Sequence, residues 1–94
     1  MRATSIAALK EVRADGSVVE IVVWQVPEPV HPSPHLYKYR LYFGKAGLAR
    51  VRYDNERGKG DHRHIGDIEE DYFFESLEKL LADFRGDVEN WSEP

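Results

Sequence analysis

The chain has 94 residues, a formal net charge of −4 and no cysteine. That length fits one domain with one core, and the absence of cysteine removes disulfides, thiolate zinc sites and thiol nucleophiles together. Apolar residues at 41% and aromatics at 12% are too many for a disordered chain, and the acidic balance argues against indiscriminate nucleic-acid binding.

Residues 5–13 and 17–26 read as two strands joined through Ala14-Asp15-Gly16, where Asp-Gly is a strong turn signal. The second strand is apolar on both sides, with Val18, Val22 and Trp24 alternating against Val19, Ile21 and Val23. Such a strand is expected at the centre of a sheet, covered on both faces or by a partner on one. Pro27, Pro29, Pro32 and Pro34 then impose an extended connection that can be neither helix nor interior strand. His31 and His35, within it, are expected as exposed turn residues.

Residues 35–43 and 48–54 form a second hairpin. Tyr37, Tyr39, Leu41 and Phe43 share one face, and Ala49, Val51 and Tyr53 match them on the return strand. Placing both apolar sets on one side needs an odd-length loop, which Lys45-Ala46-Gly47 supplies. The opposite face would then gather Lys38, Arg40, Tyr42, Arg50 and Arg52, a cluster that calls for an anion or an acidic partner. Charge is uneven at larger scale too. Ten acidic residues fall between Asp67 and Pro94, against Lys79 and Arg85, so a basic middle precedes an acidic tail.

After an extended stretch at Tyr72-Phe73-Phe74, Ser76 is placed to cap a helix running to about Trp91. Leu77, Leu80, Leu81, Phe84, Val88 and Trp91 form one stripe at helical spacing, and Gly86 interrupts it at a cost of about 1 kcal/mol against alanine, a cost that close packing would justify. The expected fold is α+β: an antiparallel sheet of about four strands in two hairpins, with a C-terminal helix packed on one face. Residues 1–94 form a single domain in this reading. No apolar run approaches the roughly 20 residues of a membrane span and no signal-peptide core is visible, which leads to the expectation of a cytoplasmic protein.

The segment Arg52–Gly66 concentrates the chemistry. Gly58 and Gly60 flank Lys59, so the backbone could approach a phosphate while lysine supplies charge, although no Walker spacing is present. His62 and His64 are two apart and point the same way on an extended backbone, with Asp61 and Arg63 opposite. Two imidazoles could divide general acid and base roles. RNA cleavage needs one group to take the 2′-hydroxyl proton and another to protonate the 5′-oxygen, with cations stabilising charge on phosphorus. On this reading His62, His64, Lys59 and Asp61 are catalytic, and Arg52, Arg63, Arg57, Arg50, Arg40 and Lys38 bind phosphate or RNA. Neither metal nor cofactor is required.

Three other readings stay open. His-x-His with Asp61, completed by Asp54 and Glu56, could bind a metal, against which the surrounding cations weigh. The carboxylates, with Asn55, could instead cap backbone amides and build an inert loop; Asp54, Asn55, Gly58 and Gly60 suit such a structural part. A loop that holds a nucleotide and transfers part of it to a target is the third.

The run Arg52-Tyr-Asp-Asn-Glu-Arg-Gly-Lys-Gly-Asp-His-Arg-His64 resembles the signature of the TumE-type toxins of toxin–antitoxin modules. Trp24–Val30, Ser33–Arg40 and Leu77–Phe84 carry the resemblance along nearly the whole chain. It implies a growth-inhibiting toxin encoded beside a cognate antitoxin, often a small DNA-binding regulator. RNA as the target comes from the residue chemistry and from analogy with other small toxins. The alternative is a non-catalytic module whose basic face docks RNA or an acidic protein. An exposed edge strand would favour antitoxin binding or a homodimer, with 17–26 or its neighbours as the contact.

Overall fold

The computed structural model describes residues 2–92. Among these, β1 (Thr4–Val12), β2 (Val18–Gln25), β3 (Tyr37–Lys45), β4 (Leu48–Glu56), β5 (Gly60–Ile65) and β6 (Ile68–Asp71) precede α1 (Leu77–Glu89). The six strands form one antiparallel sheet in chain order. The α+β class and the single-face helix agree with the sequence; the sheet has six strands rather than about four. The two additional strands come from the polar segment after Glu56. Their side chains carry no apolar alternation, and cross-strand polar pairing marks them as strands instead.

One face of the sheet forms the core. Val19, Ile21, Val23, Tyr39, Leu41, Phe43, Val51 and Tyr53 are buried against Leu80 and Phe84 of α1. Burying such a leucine or phenylalanine contributes roughly 1.5–3 kcal/mol, so these two positions hold the helix on the sheet. Ser76 caps α1 by accepting from the Lys79 amide at 3.0 Å. The helix stops at Glu89, earlier than expected, and the Asn90 amide closes it on the Gly86 carbonyl at 2.9 Å. A β-carbon on Gly86 would meet nothing within 4 Å, so close packing does not account for this glycine.

The β3–β4 turn departs from the expected three-residue loop. Ala46 and Gly47, at φ 53° and 77°, make a two-residue turn closed by the Lys45–Leu48 pair, with a twist that suits a hairpin. The odd offset arises one step later. Phe43 pairs with Val51 but Gly44 pairs with Ala49, which leaves Arg50 as an extra residue in a β-bulge. A β-carbon at Gly44 would stand 2.6 Å from the Leu48 carbonyl oxygen, so this close turn requires glycine.

β2 is paired on both edges, while β1 and β6 are the sheet's outer strands. The face of β2 turned from the helix carries Val18, Val22 and Trp24, with Trp24 exposed. Among the described residues no helix is long and apolar enough to cross a membrane.

Candidate functional site

The β4–β5 hairpin sets the site. Residues 57–59 make its turn, in which the Lys59 amide donates to the Glu56 carbonyl at 3.0 Å and the Gly58 amide donates to the His31 carbonyl at 2.8 Å. Gly58 and Gly60 sit at φ 88° and 77°, where other residues are strained. These glycines therefore serve the turn, and the Gly58 and Lys59 amides are spent on backbone rather than offered to a phosphate. A β-carbon on Gly60 would press on Pro32 at 3.3 Å, so the proline-rich connection braces the hairpin tip.

Antiparallel register then places Asp54 opposite His62 and Arg52 opposite His64. All four point to the face turned away from α1. The His62 ring is buried. Its Nδ1 donates to the Gly60 carbonyl at 3.1 Å, and its Nε2 stands 2.6 Å from Asp54 Oδ1. That oxygen is itself buried and has no aligned hydrogen bond. His64 lies beside His62, the ring centroids 5.3 Å apart and edge-on, and remains partly exposed.

Glu69 of β6, opposite His64 in register, completes this corner. Its carboxylate is 3.4 Å from Lys59 Nζ and 3.9 Å from His64 Nδ1. Lys59 holds the Glu69 carboxyl below its ordinary value, chiefly by hydrogen bonding. Further along the same face, Arg40 pairs with Glu20 at 3.1 Å, and the Lys38 ammonium donates to the Asn55 carbonyl. Arg57 is exposed in the 57–59 turn.

Three expected site residues belong to the other face. Asp61 accepts from Ser33 Oγ, from the Tyr39 hydroxyl at 2.7 Å and from His35 Nε2 at 2.7 Å. Arg63 donates to Glu70 at 2.5 Å, to the Tyr53 hydroxyl at 3.0 Å and to Asp87 of α1 at 3.3 Å. Burial works against the Arg63 charge, but the hydrogen bonds it donates to Tyr53 and Glu70 outweigh it and hold the guanidinium protonated. Arg50 is turned by the bulge onto the helix side, 5.4 Å from the Phe43 ring centroid and 5.8 Å from that of Trp91. The expected grouping of Arg50 with Lys38 and Arg40 is thereby corrected.

His35 is also corrected. It is no exposed turn residue: its Nδ1 accepts from the Tyr37 amide at 3.1 Å, its ring stacks on Phe74 at 3.8 Å, and Asp61 takes its other nitrogen. Asn55 is fully buried. Its side chain accepts from the Tyr39 amide at 3.0 Å and donates to the Tyr37 carbonyl at 2.7 Å, extending the β3–β4 ladder past its last backbone pair.

The family model described as toxin TumE matches residues 3–92. The chain belongs to the TumE toxin family. Membership makes it the toxin of a toxin–antitoxin system, with a cognate antitoxin as partner. No curated protein and no solved structure matched the chain. Sequence reasoning about this TumE toxin missed Glu69 and gave Asp54 an architectural part. The available signal was the short stretch Ile68–Asp71 after Gly66-Asp67, which returns Glu69 beside His64 once the second polar hairpin is recognised.

Proposed function

We propose that this TumE toxin cleaves RNA on the sheet face turned away from the helix, within the cytoplasm. The observation that carries the reading is the cross-strand square of Arg52, Asp54, His62 and His64, with Lys59 at its margin and Arg40 and Lys38 leading away along the same face. An RNA strand laid on that face would meet cations first and imidazoles at the end of the track. Transesterification there would form a bond from the 2′-oxygen to phosphorus and break the bond to the 5′-oxygen. One proton leaves the 2′-hydroxyl and one is delivered to the departing 5′-oxygen, giving a cyclic phosphate and a 5′-hydroxyl end. Arg52 is the neighbouring cation for charge on phosphorus. His64, partly exposed, can touch substrate. His62, buried with an oxygen against each ring nitrogen, orients the corner.

A second reading is favoured by one observation: Trp24, Tyr42, Arg40 and Lys38 offer aromatic and basic contacts on the same face without needing chemistry. The toxin would then block RNA or an acidic protein by binding. Expression of wild type, His64→Ala and Arg40→Glu followed by mapping of RNA ends separates the two. Cleavage predicts new 5′-hydroxyl ends in wild type that vanish in His64→Ala. Growth arrest with intact RNA, kept in His64→Ala and lost in Arg40→Glu, would leave binding as the function.

A further inference from the structure

The contact between Asp54 and His62 poses a chemical problem. A carbonyl oxygen can only accept, so the Gly60 carbonyl fixes the His62 proton on Nδ1. The other ring nitrogen, Nε2, stands 2.6 Å from Asp54 Oδ1, with no ring N–H aligned on that oxygen. An oxygen and a nitrogen this close are held by something positive that both can face, a shared proton or a metal ion. Asp54 Oδ1 is buried and receives no aligned hydrogen bond among the described residues. One donor atom from each of Asp54, His62 and His64 lies within 4.8 Å of the others.

We propose that Asp54, His62 and His64 form a binding site for a divalent transition-metal cation on the face turned away from α1. Two imidazole nitrogens and one carboxylate oxygen are a donor set for borderline ions of the zinc type, and three protein ligands leave further coordination positions for water or a phosphate oxygen. The hydrogen bond from His62 Nδ1 to Gly60 is the outer contact that a ligating histidine needs to fix its tautomer and ring plane. The platform is stiff: two ligands are alternate residues of β5 and the third is the cross-strand partner of one of them. Local charge also permits a cation. Lys59 is paired with Glu69, and with Arg52 and Asp54 the four charges sum to zero before an ion arrives.

The sequence offered Asp61 for such a site, with Asp54 and Glu56 to complete it. β5 sends Asp61 to the opposite face, and the carboxylate beside the imidazoles is Asp54. The ion's use in catalysis, polarising a phosphoryl oxygen or activating water, rests on the RNA-cleavage reading. The binding itself does not.

The test is equilibrium dialysis and competition against a chromophoric chelator, using the full chain stripped of metal and zinc as the probe. Wild type is expected to take up one zinc ion per chain. Asp54→Asn and His64→Ala should each weaken it at least tenfold, while His31→Ala, in the proline-rich connection, should not. His64 is partly exposed, so its variant folds if the reading is sound, and circular dichroism checks this. Failure of wild type to bind zinc, or binding unchanged in both folded variants, overturns the site. RNA cleavage by metal-stripped toxin in excess chelator would overturn a catalytic use of the ion and leave the RNA reading standing. Zinc bound as expected with RNA intact would do the reverse.

Discussion

Asp54 and His62 face each other across β4 and β5 with carboxylate oxygen and ring nitrogen 2.6 Å apart, while Asp61, the residue preceding His62, is bound on the other side of the sheet by Ser33, His35 and Tyr39. Two neighbouring residues of one strand thus belong to different layers. Asp61 serves the joint between sheet and proline-rich connection, and His62 serves the open face.

Replacing Asp61 should therefore damage folding before it damages chemistry. Asp61→Ala leaves Tyr39, His35 and Ser33 without their shared acceptor, and hydrogen bonds to a charged group contribute about 1.5–3 kcal/mol each. A loss on the order of 3 kcal/mol is expected in urea denaturation. A variant with full stability but no toxicity would return Asp61 to the reacting groups.

Reversing the charge of Arg52 should weaken RNA binding while leaving the fold intact, because the side chain is only half-buried and no ion pair holds it among the described residues. The salt dependence of single-stranded RNA binding should fall by about 0.7 in log–log slope for each phosphate contact removed. Fluorescence anisotropy of Arg52→Glu across a salt series measures it. An unchanged slope would remove Arg52 from the RNA surface.

Gly86→Ala should stabilise the protein. The residue lies inside α1, a methyl group there would meet open space, and alanine is favoured over glycine in a helix interior by about 1 kcal/mol. A rise in the thermal midpoint with toxicity retained is the expected result. Destabilisation would mean that the added methyl group meets a neighbour within the folded chain.

Alkaline pH should unfold the domain through its tyrosines. Burial, then hydrogen bonding to Asp61, raises the Tyr39 phenol above its ordinary value; burial followed by Asp87 does the same for Tyr53, and burial followed by Asp83 for Tyr72. A group with a raised folded value contributes stability that is complete below the unfolded value, near pH 10, and is lost as pH climbs toward the folded one. Near-ultraviolet absorbance should show these tyrosines ionising together with loss of helical circular dichroism. Tyrosine ionisation completed in the folded protein would contradict their burial.

The apolar framework was legible because its periods are simple. Alternation in residues 35–43 identified the core face, the continuous apolar run in 17–26 identified an interior strand, and the spacing from Leu77 to Phe84 identified the helix with its Ser76 cap. The polar hairpin was illegible as strands because its two faces are both charged, so alternation of hydrophobicity vanishes. Arg50 was misplaced because a bulge changes parity without changing composition. His35 was misplaced because its partner, Asp61, lies 26 positions away and reads locally as a neighbour of the other histidines. Pairing of His62 with His64 was legible, since it needs only an extended backbone.

Asp61-His62-Arg63-His64 is two interleaved messages written in one line. Odd positions address the helix layer, through Tyr39 and Asp87, and even positions address the open face. Deleting a single residue just before Asp61 would exchange the two audiences, driving imidazoles toward Tyr53 and sending the carboxylate and guanidinium outward. The proposed site and the protein's stability are thus held to a common reading frame along one strand, and neither can be shifted by a residue without scrambling the other.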